Sequence, residues 1–408
     1  MSMEKINALL KAAVEDLKAR GTAKGRETVV TAIKPATAEN GPRYFIEGYG
    51  EKEFIRMNSN SYLGISLQPE LIEAEEAAAR AFGTGPGAVR FISGTYKAHT
   101  DLEARLATFH NKEAGLLFSS AYVTSLGVLM PLATEETVYI SDAQNHNCII
   151  QAMRLSRPKG KAIYKHNDMA DLEAKLEAWS GQAKRALVVT DGVFSMRGDN
   201  APLQEFVAIC SRYADRFEEG LLTIMDDSHG VGGFGRTGRG TEEYCGAEVD
   251  LLIGTLGKAF GVNGGYVVTS VEIVDYLRQT APMYIYSNPI TVAEASAARA
   301  ALNLLDSPRG LEILAHLRMM TKRFQAGLER YGYETIAGDH PVVPLMVRDT
   351  ARTGELVRFL TERGVLATGL NFPVVPKGDE EIRFQINADH QESDIDYVLD
   401  ELREYRER

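Results

Sequence analysis

The chain has 408 residues, 44% hydrophobic and 25% charged, a make-up that fits a globular protein of two or three domains and excludes a disordered or fibrous one. Its 45 Lys and Arg against 56 Asp and Glu leave a net charge of −11, which argues against a general binder of nucleic acid or anionic membrane. Three cysteines, Cys148, Cys210 and Cys245, are too few and too scattered for a disulfide framework or a zinc site, and they fit a reducing cytoplasm.

In chain order, residues 1–21 read as an amphipathic helix with charges throughout. It lacks the apolar core of a signal peptide, and no segment approaches the roughly 18 apolar residues of a membrane span, so a cytoplasmic protein is expected. Short apolar runs at 116–118, 137–140, 187–190, 221–225, 251–253 and 265–269 read as strands buried on both faces. Helical stretches such as 169–179 and 203–216 lie between them, which predicts a mostly parallel α/β sheet with helices on both sides. After Pro289 the rhythm changes to two long helical stretches, 290–305 and 310–330, followed by strands at 342–347 and 382–386. That change predicts a second, smaller α+β domain.

In such a sheet, chemistry collects where strands end and loops begin. Four strand ends carry unusual residues. LLTIMDDSHG ends in Asp226, Asp227, Ser228 and His229; VDLLIGTLGKAFG brings Thr255 and Lys258; VVTDGVFSMRGD puts Ser195 just past a strand; VYISDAQNHN does the same with His146. Taken singly, each has a bland explanation as a surface lysine, a satisfied histidine or a pair of helix-capping aspartates. Gly230-Val-Gly232-Gly233-Phe-Gly235 also matches the dinucleotide fingerprint. Arg236-Thr-Gly-Arg-Gly follows where a helix should open, however, and Asp250 lies before the next strand instead of at its end, so that reading is set aside.

Together the four ends supply what pyridoxal 5'-phosphate (PLP) needs. The list is an amine for its aldehyde, a carboxylate for its pyridine nitrogen, donors to its ring hydroxyl, a flat group over its ring and amides for its phosphate. DDSHG and GTLGKAFG, with TDGVFSMRGD upstream, resemble the α-oxoamine synthases, a branch of the fold-type I PLP enzymes. The likeness extends through NSNSYLG, VRFISGTYKAHTDLE, SDAQNHNCII and NFPVVPKGDEEIRFQINADH. Within the family, RFISGT, FPVVPKG and the Asp-Asp-Ser-His run look most like its glycine C-acetyltransferase branch. The resemblance implies a large domain with a mostly parallel seven-stranded sheet plus a smaller C-terminal α+β domain. In this chain that means an amino-terminal helix and arm over 1–60, a PLP domain over 61–289 and a small domain over 290–408.

Carried onto this sequence, the resemblance implies that Lys258 forms the Schiff base and then acts as the base. Asp226 pairs with the pyridine nitrogen, His229 and Ser195 bond the ring hydroxyl, and His146 stacks on the ring and assists proton transfer. Amides of Ala121 and Tyr122, with Thr255, cradle the phosphate at a helix amino terminus. Arg383 forks onto the substrate carboxylate, with Asn60 nearby; the alternation in 382–386 puts Arg383 and Gln385 on one polar face, the bland alternative being a surface arginine on an edge strand. No metal is implied. The implied reaction is a Claisen-type condensation of an amino acid, glycine in the nearest branch, with an acyl-CoA, in a homodimer whose active site lies at the interface. Serine palmitoyltransferase-like or 8-amino-7-oxononanoate synthase-like condensations with longer acyl-CoAs are the alternatives, and a different PLP reaction or a catalytically dead relative lies further off. Arg197 stands where the family pattern has aspartate.

Overall fold

The structure is a computed structural model that describes residues 2–20, 22–372 and 374–408, so Met1, Gly21 and Pro373 of the segments above lie outside the described residues. Seven strands form the main sheet: β1 (Ala114–Phe118), β2 (Thr137–Asp142), β3 (Gly160–Tyr164), β4 (Arg185–Asp191), β5 (Leu221–Asp226), β6 (Leu251–Thr255) and β7 (Gly265–Thr269). Their order is β1-β7-β6-β5-β4-β2-β3. Only β7 runs against the others, pairing antiparallel with both β1 and β6. The remaining neighbours pair in parallel, with Asp191 of β4 directly beside Asp226 of β5.

The central strands are unbroken apolar runs because both faces are covered. In β4, Ala186 and Val188 join the core on one side of the sheet while Leu187 and Val189 join the core on the other. The loops that leave the carboxyl ends of β1, β2, β4, β5 and β6 lead to Ala121, His146, Ser195, His229 and Lys258, so a single edge of the sheet gathers them.

A second sheet contains β8 (Val342–Met346), β9 (Thr368–Leu370) and β10 (Glu381–Gln385), in the order β8-β10-β9 and all antiparallel. Arg383 therefore stands on a middle strand, not an edge. Strands Val30–Lys34, Arg43–Ile46 and Glu53–Arg56 form an antiparallel set that continues in parallel into Val365–Leu366, which ties the amino-terminal arm to the carboxyl-terminal part. The amino-terminal helix Ser2–Ala19 is exposed over residues 3–19.

Helix Val292–Leu305 packs against helices Pro69–Phe82 and Lys97–Phe109, and its buried Ala295, Ala297, Ala298 and Ala301 allow the close approach. It starts two residues later than the pattern suggests because Thr291 and Glu294 form a capping box. The next helix, Pro308–Arg330, starts two residues earlier than expected, with Ser307 capping Gly310 and proline in the first turn, where its missing N–H costs nothing. Among the described residues no helix is long and apolar enough to cross a membrane.

Candidate active site

The cleft at the carboxyl edge of the sheet is lined by Ala121, Tyr122, His146, Cys148, Asp191, Val193, Ser195, Asp226, Ser228, His229 and Lys258 and has about 350 Å³ of empty space, its open mouth included. Seven of those residues were expected from the sequence. Cys148, Asp191, Val193 and Ser228 were not.

Asp226 ends β5 and is buried, with its carboxylate fixed from three sides. Ser228 N donates to Oδ1 at 3.0 Å, Ser125 Oγ to Oδ2 at 3.3 Å and Cys148 Sγ to Oδ2 at 3.6 Å. Asp227, one residue on, points away, as alternation along a strand requires. It accepts Thr241 N at 2.7 Å and Thr241 Oγ1 at 2.6 Å. A Cβ at Gly192 or Gly240 would come within 2.2 or 2.0 Å of its oxygens, so glycine is needed for the chain to pass so close. Burial pushes Asp227 up to about 7, although the Thr241 donors oppose the shift. The two aspartates therefore have separate work, one facing the cleft and one holding the loop behind it. The glycine run 230–235 belongs to that loop, and the helix after it opens only at Thr241.

Lys258 is three residues beyond β6. Desolvation lowers its ammonium to about 8, against the pull of Asp226 and Asp191. Asp191 ends β4 and is 5% exposed; its Oδ2 accepts the His146 backbone N–H at 3.1 Å, while Oδ1 is buried without a partner. Burial, and then the neighbouring Asp226, raise its carboxyl well above the usual range.

His146 caps helix Asn147–Leu155, accepting the Cys148 N–H, and its Nδ1 lies 3.0 Å from Cys148 Sγ. Desolvation lowers the His146 pKa, so the ring is held neutral. His229 Nδ1 is 2.6 Å from Tyr62 Oη, and burial and Lys258 drive its pKa well down. Tyr62 Oη also reaches Asn60 Oδ1 at 3.4 Å, which ties Asn60 to the site although it does not line the cleft.

At the end of β1, Ser120 Oγ caps Val123 N, and helix Ala121–Leu132 begins at the cleft wall. A side chain at Gly265 would sit 2.4 Å from the Ala121 nitrogen. Thr255 is spent on the turn that carries Lys258, accepting Gly257 N at 3.1 Å and donating to Gly264 O at 3.3 Å. Arg383 donates Nη1 to the Ser195 carbonyl at 3.0 Å, so the small sheet grips the loop that bears Ser195. Arg197, on the same loop, is taken up by Asp199 at 3.2 Å, and Asp199 also meets His166 Nε2 at 3.1 Å.

The family model for aminotransferase class I and II matches residues 52–402. The chain belongs to that family. Human mitochondrial 2-amino-3-ketobutyrate coenzyme A ligase is 37% identical over 402 residues, covering 98% of this chain and 92% of that protein. The 8-amino-7-oxononanoate synthase of Thermosipho melanesiensis is 36% identical and covers 95% of each. A solved structure of serine palmitoyltransferase with PLP as its internal aldimine has a TM-score of 0.85 and 26% identity, covering 98% of this chain and 97% of that one. Within its family the chain is an α-oxoamine synthase, as its sequence motifs indicate.

PLP fits the cleft. Asp191 Oδ1 and Ser228 Oγ are buried there without partners. A fixed carboxylate, a desolvated amine and a helix amino terminus surround the same space, and that donor set matches the ring nitrogen, aldehyde and phosphate of this cofactor.

Proposed function

We propose that this enzyme is a PLP-dependent acyltransferase that condenses glycine with a short acyl-CoA to give a 2-amino-3-oxo acid and free CoA. The observation that carries the reading is the meeting of Lys258, Asp226 and His146 in one cleft at the carboxyl edge of the sheet. Overall, a C–C bond forms between the amino acid's α-carbon and the acyl carbonyl carbon, the thioester C–S bond breaks, and CoA leaves as its thiol.

When bound, PLP supplies an electron sink that acidifies the α-carbon of the amino acid joined to it. Lys258 holds the cofactor and then moves the α-proton through Nζ; an amine near pH 8 both accepts and returns a proton at neutral pH. Asp226, fixed by Ser125, Cys148 and Ser228, keeps a negative charge against the ring nitrogen. Neutral His146 would cover the ring face, and Ser195 and His229 would bond the ring hydroxyl. Backbone amides of Ala121 and Tyr122 would take the phosphate, with Thr255 bracing the turn that carries Lys258. Arg383 and Asn60 hold the substrate carboxylate. A homodimer, with the partner subunit closing the cleft, completes the proposal.

The test is thiol release over a grid of glycine, alanine and serine against acyl-CoAs of increasing length. Glycine with the shortest acyl chain is expected to release CoA fastest. Release only with serine and a long chain would reassign the substrates, and no release with any pair would remove the acyltransferase reading.

A second prediction concerns Arg383. Arg383→Lys keeps the charge but loses the fork, and Arg383→Ala loses both. Amino-acid affinity should fall in the order Arg, Lys, Ala, by about tenfold or more for Ala, the usual loss for a charge-assisted pair. The Michaelis constant for acyl-CoA should move far less. Equal losses for both substrates would put the carboxylate on another residue.

A further inference from the structure

Behind the cofactor cleft lies a second cavity, with about 800 Å³ of empty space, between the loop that follows His229 and helix Pro308–Arg330. Phe234 and Tyr244 stack on each other at 4.2 Å in its wall, and Tyr244 is 44% exposed. Arg236, Arg318 and Lys322 line it. Arg318 donates to the Gly235 carbonyl at 3.2 Å, and among the described residues none of the three cations forms an ion pair with a carboxylate. The one acid in the lining, Asp339, accepts the Tyr244 hydroxyl at 3.0 Å.

This cavity shares no lining residue with the cofactor cleft. Phe234, His340, Tyr62 and His229, 4%, 1%, 0% and 7% exposed, form a buried chain of contacts between the two linings. His340 meets Phe234 edge-on at 5.4 Å and reaches the His229 carbonyl through Nε2 at 2.9 Å, and Tyr62 binds the His229 ring from the other side.

We propose that this cavity is a separate binding site for a nucleoside monophosphate-type ligand, a phosphate ester joined to a flat ring. The cations on Arg236, Arg318 and Lys322 suit a phosphate, which guanidinium groups bind with paired donors. The exposed Tyr244 ring, backed by buried Phe234, and the Arg side chains suit a planar ring, by stacking and by cation–π contact. An aliphatic anion would use the charges and leave the rings idle, and a neutral ring would do the reverse. Both halves of the ligand are therefore needed for full affinity.

The test titrates the holoenzyme calorimetrically with AMP, adenosine and inorganic phosphate, and repeats it on an Arg236→Glu, Lys322→Glu double variant. Both positions are exposed, so the variant should fold and keep the yellow cofactor and its acyl-transfer rate. AMP should bind saturably, at least about tenfold more tightly than either fragment, and the double variant should lose about tenfold or more. No AMP binding, or binding unchanged in the variant, would overturn the proposal. So would competition between AMP and the acyl-CoA substrate, because the cavity would then belong to the CoA site. The AMP titrations are read without turnover, so their outcome does not depend on the reaction assigned above; only the competition arm does.

Discussion

Borohydride treatment of the yellow holoenzyme should fix the cofactor on the peptide that carries Lys258, and Lys258→Ala should lower turnover by about two to four decades or more, the range for losing a positioned general base. The alanine variant should still bind PLP non-covalently through Asp226 and the phosphate cradle. The rate at which apoenzyme captures PLP adds a pH signature. Capture needs the neutral amine, and Lys258 is lowered from 10.5 to about 8. At pH 7 about one molecule in ten then carries a neutral amine, against about one in three thousand for an ordinary lysine. Because the neutral form lies above the pKa, the rate should climb with pH up to about 8 and level off beyond it. Label on another lysine, or a rate still climbing towards pH 10, would overturn the assignment of Lys258.

Six strands of the central sheet were legible because they are covered on both sides and so appear as mostly apolar runs, as in β4, whereas β3, at the edge with Lys161 and Ile163 exposed, has no such run. The site residues could be ordered for a related reason: a parallel sheet delivers the loop after each strand to one edge, so His146, Ser195, His229 and Lys258 had to converge. Asp191 ends β4 in the same register as Asp226 ends β5, and its signal in the sequence is a carboxylate closing an apolar run, four residues before Ser195. What brings the Cys148 sulfur between His146 and Asp226 is the first turn of helix Asn147–Leu155, a geometry that composition does not carry. The middle position of Arg383 was hidden because β9, on one side of it, has only three residues and contains Gly369. The link between Glu53–Arg56 and Val365–Leu366 joins strands some 310 residues apart in sequence, and neither short run names its partner.

Asp226→Asn should leave PLP bound and reduce turnover by about two to three decades, on the order of 3–4 kcal/mol of transition-state stabilisation from one preorganised charge. Asparagine keeps the shape, and its Oδ1 can still accept the Ser228 N–H, but it offers no negative charge to hold the ring nitrogen protonated. Asp227→Asn is the internal control. Asp227 is fully buried and gives both oxygens to Thr241, so its replacement should act on stability, by about 1–3 kcal/mol for a compromised buried hydrogen bond, with a much smaller effect on turnover. The two neighbours thus separate by assay: melting temperature falls most for one and turnover for the other, with the cofactor's absorption maximum moved only in Asp226→Asn. If Asp226→Asn turned over near the normal rate, or if Asp227→Asn alone shifted the spectrum, the ring nitrogen would have to answer to a group other than Asp226.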